Sequence, residues 1–282
     1  MDGRFRAFSF VDRITRLEPG HRIEGLYTVP ATASRFPAAL MAEAVGQLAA
    51  WAAMSSVEFA HRPVAGLAGE TRYHGAAVPG QTLQLAAEIE RCDDEAIAYG
   101  GSASIDGRCV LELMHCVGPM LPMEEFDAPE AVRADFETLI GPGAPRDRFA
   151  GVDAPQLETT DHSAGERLRA VLHVPGSASY FDDHFPRRPV YPGTLLLDAL
   201  GLLAVRLASE AMPEQADREW MPKVVTDVKL RTFTPPGARL DLGAELIDAD
   251  AQGARLKVTA RDGGKLVASA RIEVGPASER LA

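Results

Sequence analysis

The sequence predicts an α+β protein built from two copies of one unit, each a curved antiparallel sheet wrapped around a long buried helix. Three observations carry this: an internal repeat splits the 282 residues into halves, each half has one nearly all-apolar helix, and alternating strands follow both helices. The repeat is read most directly downstream of the helices, where AAVPGQTLQLAAEIERCD (76–93) matches TFTPPGARLDLGAELIDAD (232–250), with Pro79-Gly80 on Pro236-Gly237. Upstream, FPAALMAEAVGQLA (36–49) matches YPGTLLLDALGLLA (191–204) without a gap, so Glu43 stands where Asp198 stands. Val29-Pro30 likewise pairs with Val174-Pro175.

Each element follows from local chemistry. Pro37 and Pro192 belong to first helical turns, where the missing N–H costs nothing, and roughly the next 15 residues are apolar on nearly every face, so both helices should be buried all round. Leu83–Ile89, Leu256–Ala260 and Leu266–Val274 alternate in polarity, and Asp106-Gly107 and Asp262-Gly263 read as hairpin turns. Residues 1–120 form the first unit and residues 149–282 the second. The stretch 121–148, rich in Pro, Gly and acidic residues, reads as a linker with one short helix near Pro129–Leu139.

Composition limits the function. A net charge of −11 with scattered basic residues argues against a nucleic-acid partner, because phosphate neutralisation needs a basic surface. No apolar run reaches the roughly 18 residues of a membrane span, so no membrane partner is expected and the location expected is the cytoplasm. Cys92, Cys109 and Cys116 lack metal-site spacing and read as core thiols. No metal and no cofactor are indicated.

The most chemical stretch is FDDHFPRRPVYPGTLLLDA (181–199), which sets His184 in a Pro-rich turn ahead of a helix carrying Asp198. A histidine near a desolvated carboxylate suits proton transfer. The other histidines, His21, His61, His74, His115, His162 and His173, have no partner at an informative spacing.

HFPRRPVYPGTLLLDA in the second half, with FSFVDRITRLEPGHRI (8–23) in the first, resembles the (3R)-hydroxyacyl carrier-protein dehydratases of the FabA and FabZ type, which have the hot-dog fold. The resemblance implies a tandem, or double, hot-dog. It implies a hydro-lyase that removes water from a 3-hydroxyacyl thioester to give a trans-2-enoyl thioester. The substrate would ride on the phosphopantetheine of an acyl carrier protein or of coenzyme A. Such a reaction needs a base for the C2 proton, an acid for the leaving hydroxyl and a donor to the thioester oxygen. His184 is the natural base, and the Gly193 N–H, at a helix N-terminus, suits the oxygen.

The acid is Glu43 or Asp198. The segment from Pro30 to Pro37 is much shorter than that from Pro175 to Pro192, so the first half has lost the histidine loop. It keeps Glu43, with Gln47 one turn on, whereas the second half has Leu202 at that spacing. In the family's dimers histidine and acid come from different units, so one working site would pair His184 with Glu43 and the reciprocal site would hold Asp198 without a histidine. Tyr191 and Gln47 are further candidates for substrate contact. Arg187 stands directly after HFP, where the family usually has Gly, and with Arg188 could grip a phosphate or an acidic carrier. A hot-dog thioesterase and a noncatalytic acyl-carrier subunit are the alternative functions. The double unit is expected to be a monomeric pseudo-dimer or a homo-oligomer of it.

Overall fold

Alternation and apolar helices become two wrapped units in the computed structural model, which describes residues 5, 7–212 and 218–277. In the first unit β1 (Arg13–Glu18) and β2 (Arg22–Thr28) form a hairpin, followed by α1 (Ala39–Ser56). Then come β3 (His61–Pro63), β4 (Leu67–Tyr73), β5 (Thr82–Cys92), β6 (Ala96–Ile105) and β7 (Arg108–Pro122). A 3-10 turn at Met123–Glu125 and α2 (Pro129–Ile140) lead to the second unit. That unit holds β8 (Leu157–Ser163), β9 (Arg167–His173), α3 (Tyr180–His184), α4 (Gly193–Ala211), β10 (Trp220–Leu230), β11 (Arg239–Asp250), β12 (Gly253–Asp262) and β13 (Lys265–Pro276).

The strands form one antiparallel sheet in the order β1-β2-β5-β6-β7-β4-β10-β13-β12-β11-β9-β8, with β3 pairing β7 off the path. Read outward from the β4–β10 junction, the two halves repeat each other strand for strand. At that junction Thr71 faces Val225 and Ala68 faces Val228, so backbone hydrogen bonds run unbroken from one unit into the other. The expected Asp106-Gly107 turn closes β6 onto β7 with positive φ at both residues (50° and 77°), the conformation that Asp-Gly tolerates best.

Each half of the sheet wraps its own helix. Leu40, Met41, Ala44, Val45, Leu48 and Ala49 of α1 are wholly buried, as are Ala199, Leu200, Ala204 and Leu207 of α4. Burying one such leucine is worth about 1.5–3 kcal/mol, so these two helices anchor the core. Helix and sheet approach closely because Gly101 has no side chain: a Cβ there would stand 2.5 Å from Val45 Cγ1 and from the Ala86 carbonyl oxygen. The cysteines differ from expectation. Cys116 is buried, Cys92 half-buried and Cys109 exposed, since Cys109 leaves the β6–β7 turn on the outward face of its strand.

Candidate active site

The two central helices lie side by side, and the site forms where the start of α4 meets the middle of α1. His184 does not sit in an open turn. It ends the five-residue helix α3, whose Tyr180 and Phe181 are buried and hold the loop down. From there His184 Nε2 reaches to 3.9 Å from Glu43 Oε1, both side chains being only 14% and 15% exposed. A histidine of the second half and a carboxylate of the first thus share one buried space.

Both groups are tuned by that burial. Desolvation, aided by the Arg62 guanidinium, pulls the His184 ring down to about 3. The Val190 carbonyl pulls the other way, but Nδ1 makes no hydrogen bond of acceptable geometry with it. Desolvation also pushes the Glu43 carboxyl up, opposed by hydrogen bonds from Gln47 and Thr194 and by Arg62. At neutral pH the ring is therefore neutral and able to accept a proton, while burial favours a protonated carboxyl able to give one. That pairing suits base and acid in an elimination.

The carboxyl is held from both halves. Gln47 Nε2 donates to Glu43 Oε1 at 3.0 Å, and Thr194 Oγ1 lies 2.7 Å from Oε2. Gln47 is itself fixed by the segment before β1: its Nε2 donates to the Phe8 carbonyl at 2.9 Å, and its Oε1 accepts from the Phe10 N–H at 2.8 Å. Asp183, beside the histidine, ties the same segment down through Oδ2, accepting from the N–H groups of Ala7 (3.0 Å) and Phe8 (2.8 Å) and from Ser9 Oγ (2.9 Å). The Phe8 ring then meets the His184 ring edge-on at 5.1 Å, and Phe185 stacks on the other side at 4.1 Å. Gly193 opens α4 beside this cluster, so its N–H is among the helix donors without an intrahelical acceptor. A Cβ at Gly193 would stand 2.4 Å from Leu230 Cδ1, so a larger residue there would have to displace the end of that side chain.

The reciprocal place is built differently. Asp198 Oδ2 accepts from Arg35 Nη2 at 2.6 Å, an ion pair with side chains 13% and 27% exposed. Burial pushes the Asp198 carboxyl up despite Arg35. No histidine pairs with it among the described residues. Tyr191 lines the cavity, but its electrostatic neighbours are Tyr180, Asp198 and Arg35, which puts it on the Asp198 side. A cavity of about 830 Å³ with mostly apolar walls, among them Trp51, Met54, Leu113, Leu202 and Trp220, reaches both carboxylates. Its size and lining suit a flexible apolar chain.

Arg187 and Arg188 turn back onto the connection between the units. Arg187 Nη1 donates to the Glu124 carbonyl at 3.0 Å, while Arg188 Nη1 donates to Glu125 Oε2 at 2.9 Å and lies 4.5 Å over the Phe233 ring. Neither takes the left-handed backbone that glycine would allow. They brace the histidine loop against 121–148, which sequence spacing did not foreshadow.

Sequence reasoning missed Thr194, Arg62, Asp183, the Phe8 backbone and Arg35. Two of these left a trace: Thr194 is the hydroxyl at the head of an apolar helix, and Arg35 is the one charge in the shortened loop 30–37. The other contacts exist only in three dimensions. The same is true of His74 and His162, which pair with Glu112 (2.7 Å) and Glu210 (2.6 Å) on the surface.

Residues 160–271 match the family model for ApeI-like dehydratases. A 3-hydroxyacyl-[acyl-carrier-protein] dehydratase FabZ of Thioalkalivibrio sulfidiphilus is 39% identical over 119 residues, 40% of this chain and 79% of that protein. The FabZ of Albidiferax ferrireducens is 32% identical over 110 residues, 38% of this chain and 73% of the relative. Among solved structures, an oleoyl thioesterase from Lactobacillus plantarum superposes with a TM-score of 0.58 at 10% identity, covering 93% of this chain and 97% of its own. A MaoC-like dehydratase gives 0.55 at 15% identity, covering 92% and 98%. At such identities the structures speak for the fold alone, and they match across both halves: the architecture is a double hot-dog.

Proposed function

The chain belongs to the family of FabZ-type hot-dog dehydratases and is a hydro-lyase, and from that premise we propose that it converts (3R)-3-hydroxyacyl thioesters of an acyl carrier protein to trans-2-enoyl thioesters at a single site between its halves. The observation that carries the reading is the 3.9 Å approach of His184 Nε2 to Glu43 Oε1 across the two units. His184 takes the proton from C2. The Gly193 N–H receives the charge that builds on the thioester oxygen, favoured by the dipole of α4. The C2–H electrons become the double bond as the C3–O bond breaks, and Glu43 gives its proton to the departing hydroxyl, which leaves as water. Return of the proton from imidazolium to carboxylate resets the pair. The acyl chain extends into the apolar cavity. The reading needs no metal or organic cofactor, since every proton has a protein donor or acceptor. A cytoplasmic pseudo-dimer is the form proposed, because one chain already supplies both halves of the site.

Incubation with a 3-hydroxybutyryl thioester, followed by enoyl absorbance and free thiol, tests the proposal. The wild-type protein should raise enoyl absorbance without releasing thiol, and Glu43→Gln should lose about 100-fold or more of that rate, as removal of a general acid does. Thiol release in place of enoyl product, or full dehydration by Glu43→Gln, would overturn it.

A further inference from the structure

Glu43 must do two opposed things. It has to keep a proton until substrate arrives, and it has to survive as a carboxylate in a nearly dry site once the proton has gone. Burial serves the first need and works against the second. The groups that face Glu43 come from five elements: Gln47 on α1, Arg62 on β3, Tyr99 on β6, His184 on α3 and Thr194 on α4. Of these, Gln47 presents its Nε2 to Glu43 Oε1 and so donates, an orientation fixed by the Phe10 N–H, which donates to Gln47 Oε1. Arg62 lies 4.4 Å over the Phe185 ring, from which it acts as a nearby charge. Oε2 has Thr194 Oγ1 at 2.7 Å.

We propose that Thr194 is a positioning residue of the reaction, its hydroxyl donating to Glu43 Oε2 and stabilising the carboxylate that proton transfer leaves behind. The proposal rests on Glu43 being the acid. A hydrogen bond to a charged acceptor is stronger than one to a neutral acceptor, so Thr194 favours the ionised form over the protonated one and makes Glu43 a readier donor. Burial alone would leave the acid too weak for its task. The other half lacks the device: Ala39 occupies the position equivalent to Thr194 in the gapless match, and Asp198 is held by Arg35 instead. The second unit therefore supplies the base, the donor to the thioester oxygen and the hydroxyl that adjusts the first unit's acid.

Thr194→Val keeps the shape and removes the donor. In a pH profile of kcat/KM for dehydration, the falling basic limb reports the acid of the free enzyme. The limb should move about one pH unit higher in Thr194→Val, with a lowered plateau, and Thr194→Ser should return it to its original place. A purely structural role would lower the plateau and leave the limb where it was, and that result would overturn the proposal. A limb moved to lower pH, or a serine variant that behaves like valine, would overturn it too. Failure of the underlying assignment shows separately, as dehydration retained by Glu43→Gln.

Discussion

The Arg35–Asp198 pair allows a sharp test of which carboxylate works and which is structural. Its charged atoms lie 2.6 Å apart with side chains 27% and 13% exposed, so both ions have given up most of their water. At an effective dielectric near 20, two charges about 4 Å apart attract by about 4 kcal/mol, and desolvation offsets a comparable amount. Breaking such a pair from one side leaves the other charge buried and costs about 3–5 kcal/mol. Replacing both members with apolar residues of similar size is neutral or stabilising by about 1–4 kcal/mol. Arg35 Nη1 is already a buried donor without a partner, which adds to the cost of losing Asp198. Asp198→Asn should therefore unfold in urea about 3 kcal/mol more easily, Arg35→Met by a similar amount, and the Arg35→Met/Asp198→Leu double variant should recover most of both losses. Asp198→Asn, assayed well below its unfolding midpoint, should still dehydrate within about threefold of wild type, whereas Glu43→Gln should not. If Asp198→Asn costs as much activity as Glu43→Gln, or if the double variant is as unstable as the sum of the singles, the assignment of a structural pair is wrong.

The His184 ring is held at about 3 in the folded protein, against an ordinary value near 6.5, so between those values the unfolded chain binds more protons than the folded one. Stability should fall as pH drops through that window, by up to about 4–5 kcal/mol, and urea midpoints for His184→Gln should fall less steeply over the same range; identical slopes would refute the shift. Asp183→Ala removes the acceptor of three hydrogen bonds that hold the Ala7–Ser9 segment. It should reduce kcat by about tenfold with a smaller change in KM, because Phe8 and Gln47 lose their seating; steady-state kinetics showing a KM effect alone would speak against that role.

The fold was legible because the patterns that specify it are short-range. Asp-Gly turns, period-2 strands and two apolar helices repeat within the chain, and Glu43 aligned with Asp198 once the helices were laid over each other. His184 and its Pro-Gly frame were also visible, since a loop and the helix it precedes are neighbours in sequence. The wall around them was not. Phe8, Gln47 and Asp183 are separated by more than a hundred residues in total, and no spacing rule links them; they meet only because the segment before β1 lies beside the histidine loop. The partner of Asp198 was missed for a related reason. The expected position was one helical turn away, at Leu202, but the charge came from the shortened loop at Arg35. Arg187 and Arg188 read as a grip for a phosphate or an acidic carrier because the backbone and carboxylate they bond lie across the connection, at Glu124 and Glu125.

The unbroken run of hydrogen bonds from β4 into β10 joins the two units within one chain. In a symmetric dimer every substitution is made twice, so no residue can be tried at one site without being imposed on the other. Joined in one chain, the halves are free of that constraint: Arg35 can neutralise Asp198 without touching Glu43, and Thr194 can bond Glu43 while its counterpart Ala39 carries no hydroxyl. One chain carries both His184 and Glu43, and each half can be altered on its own.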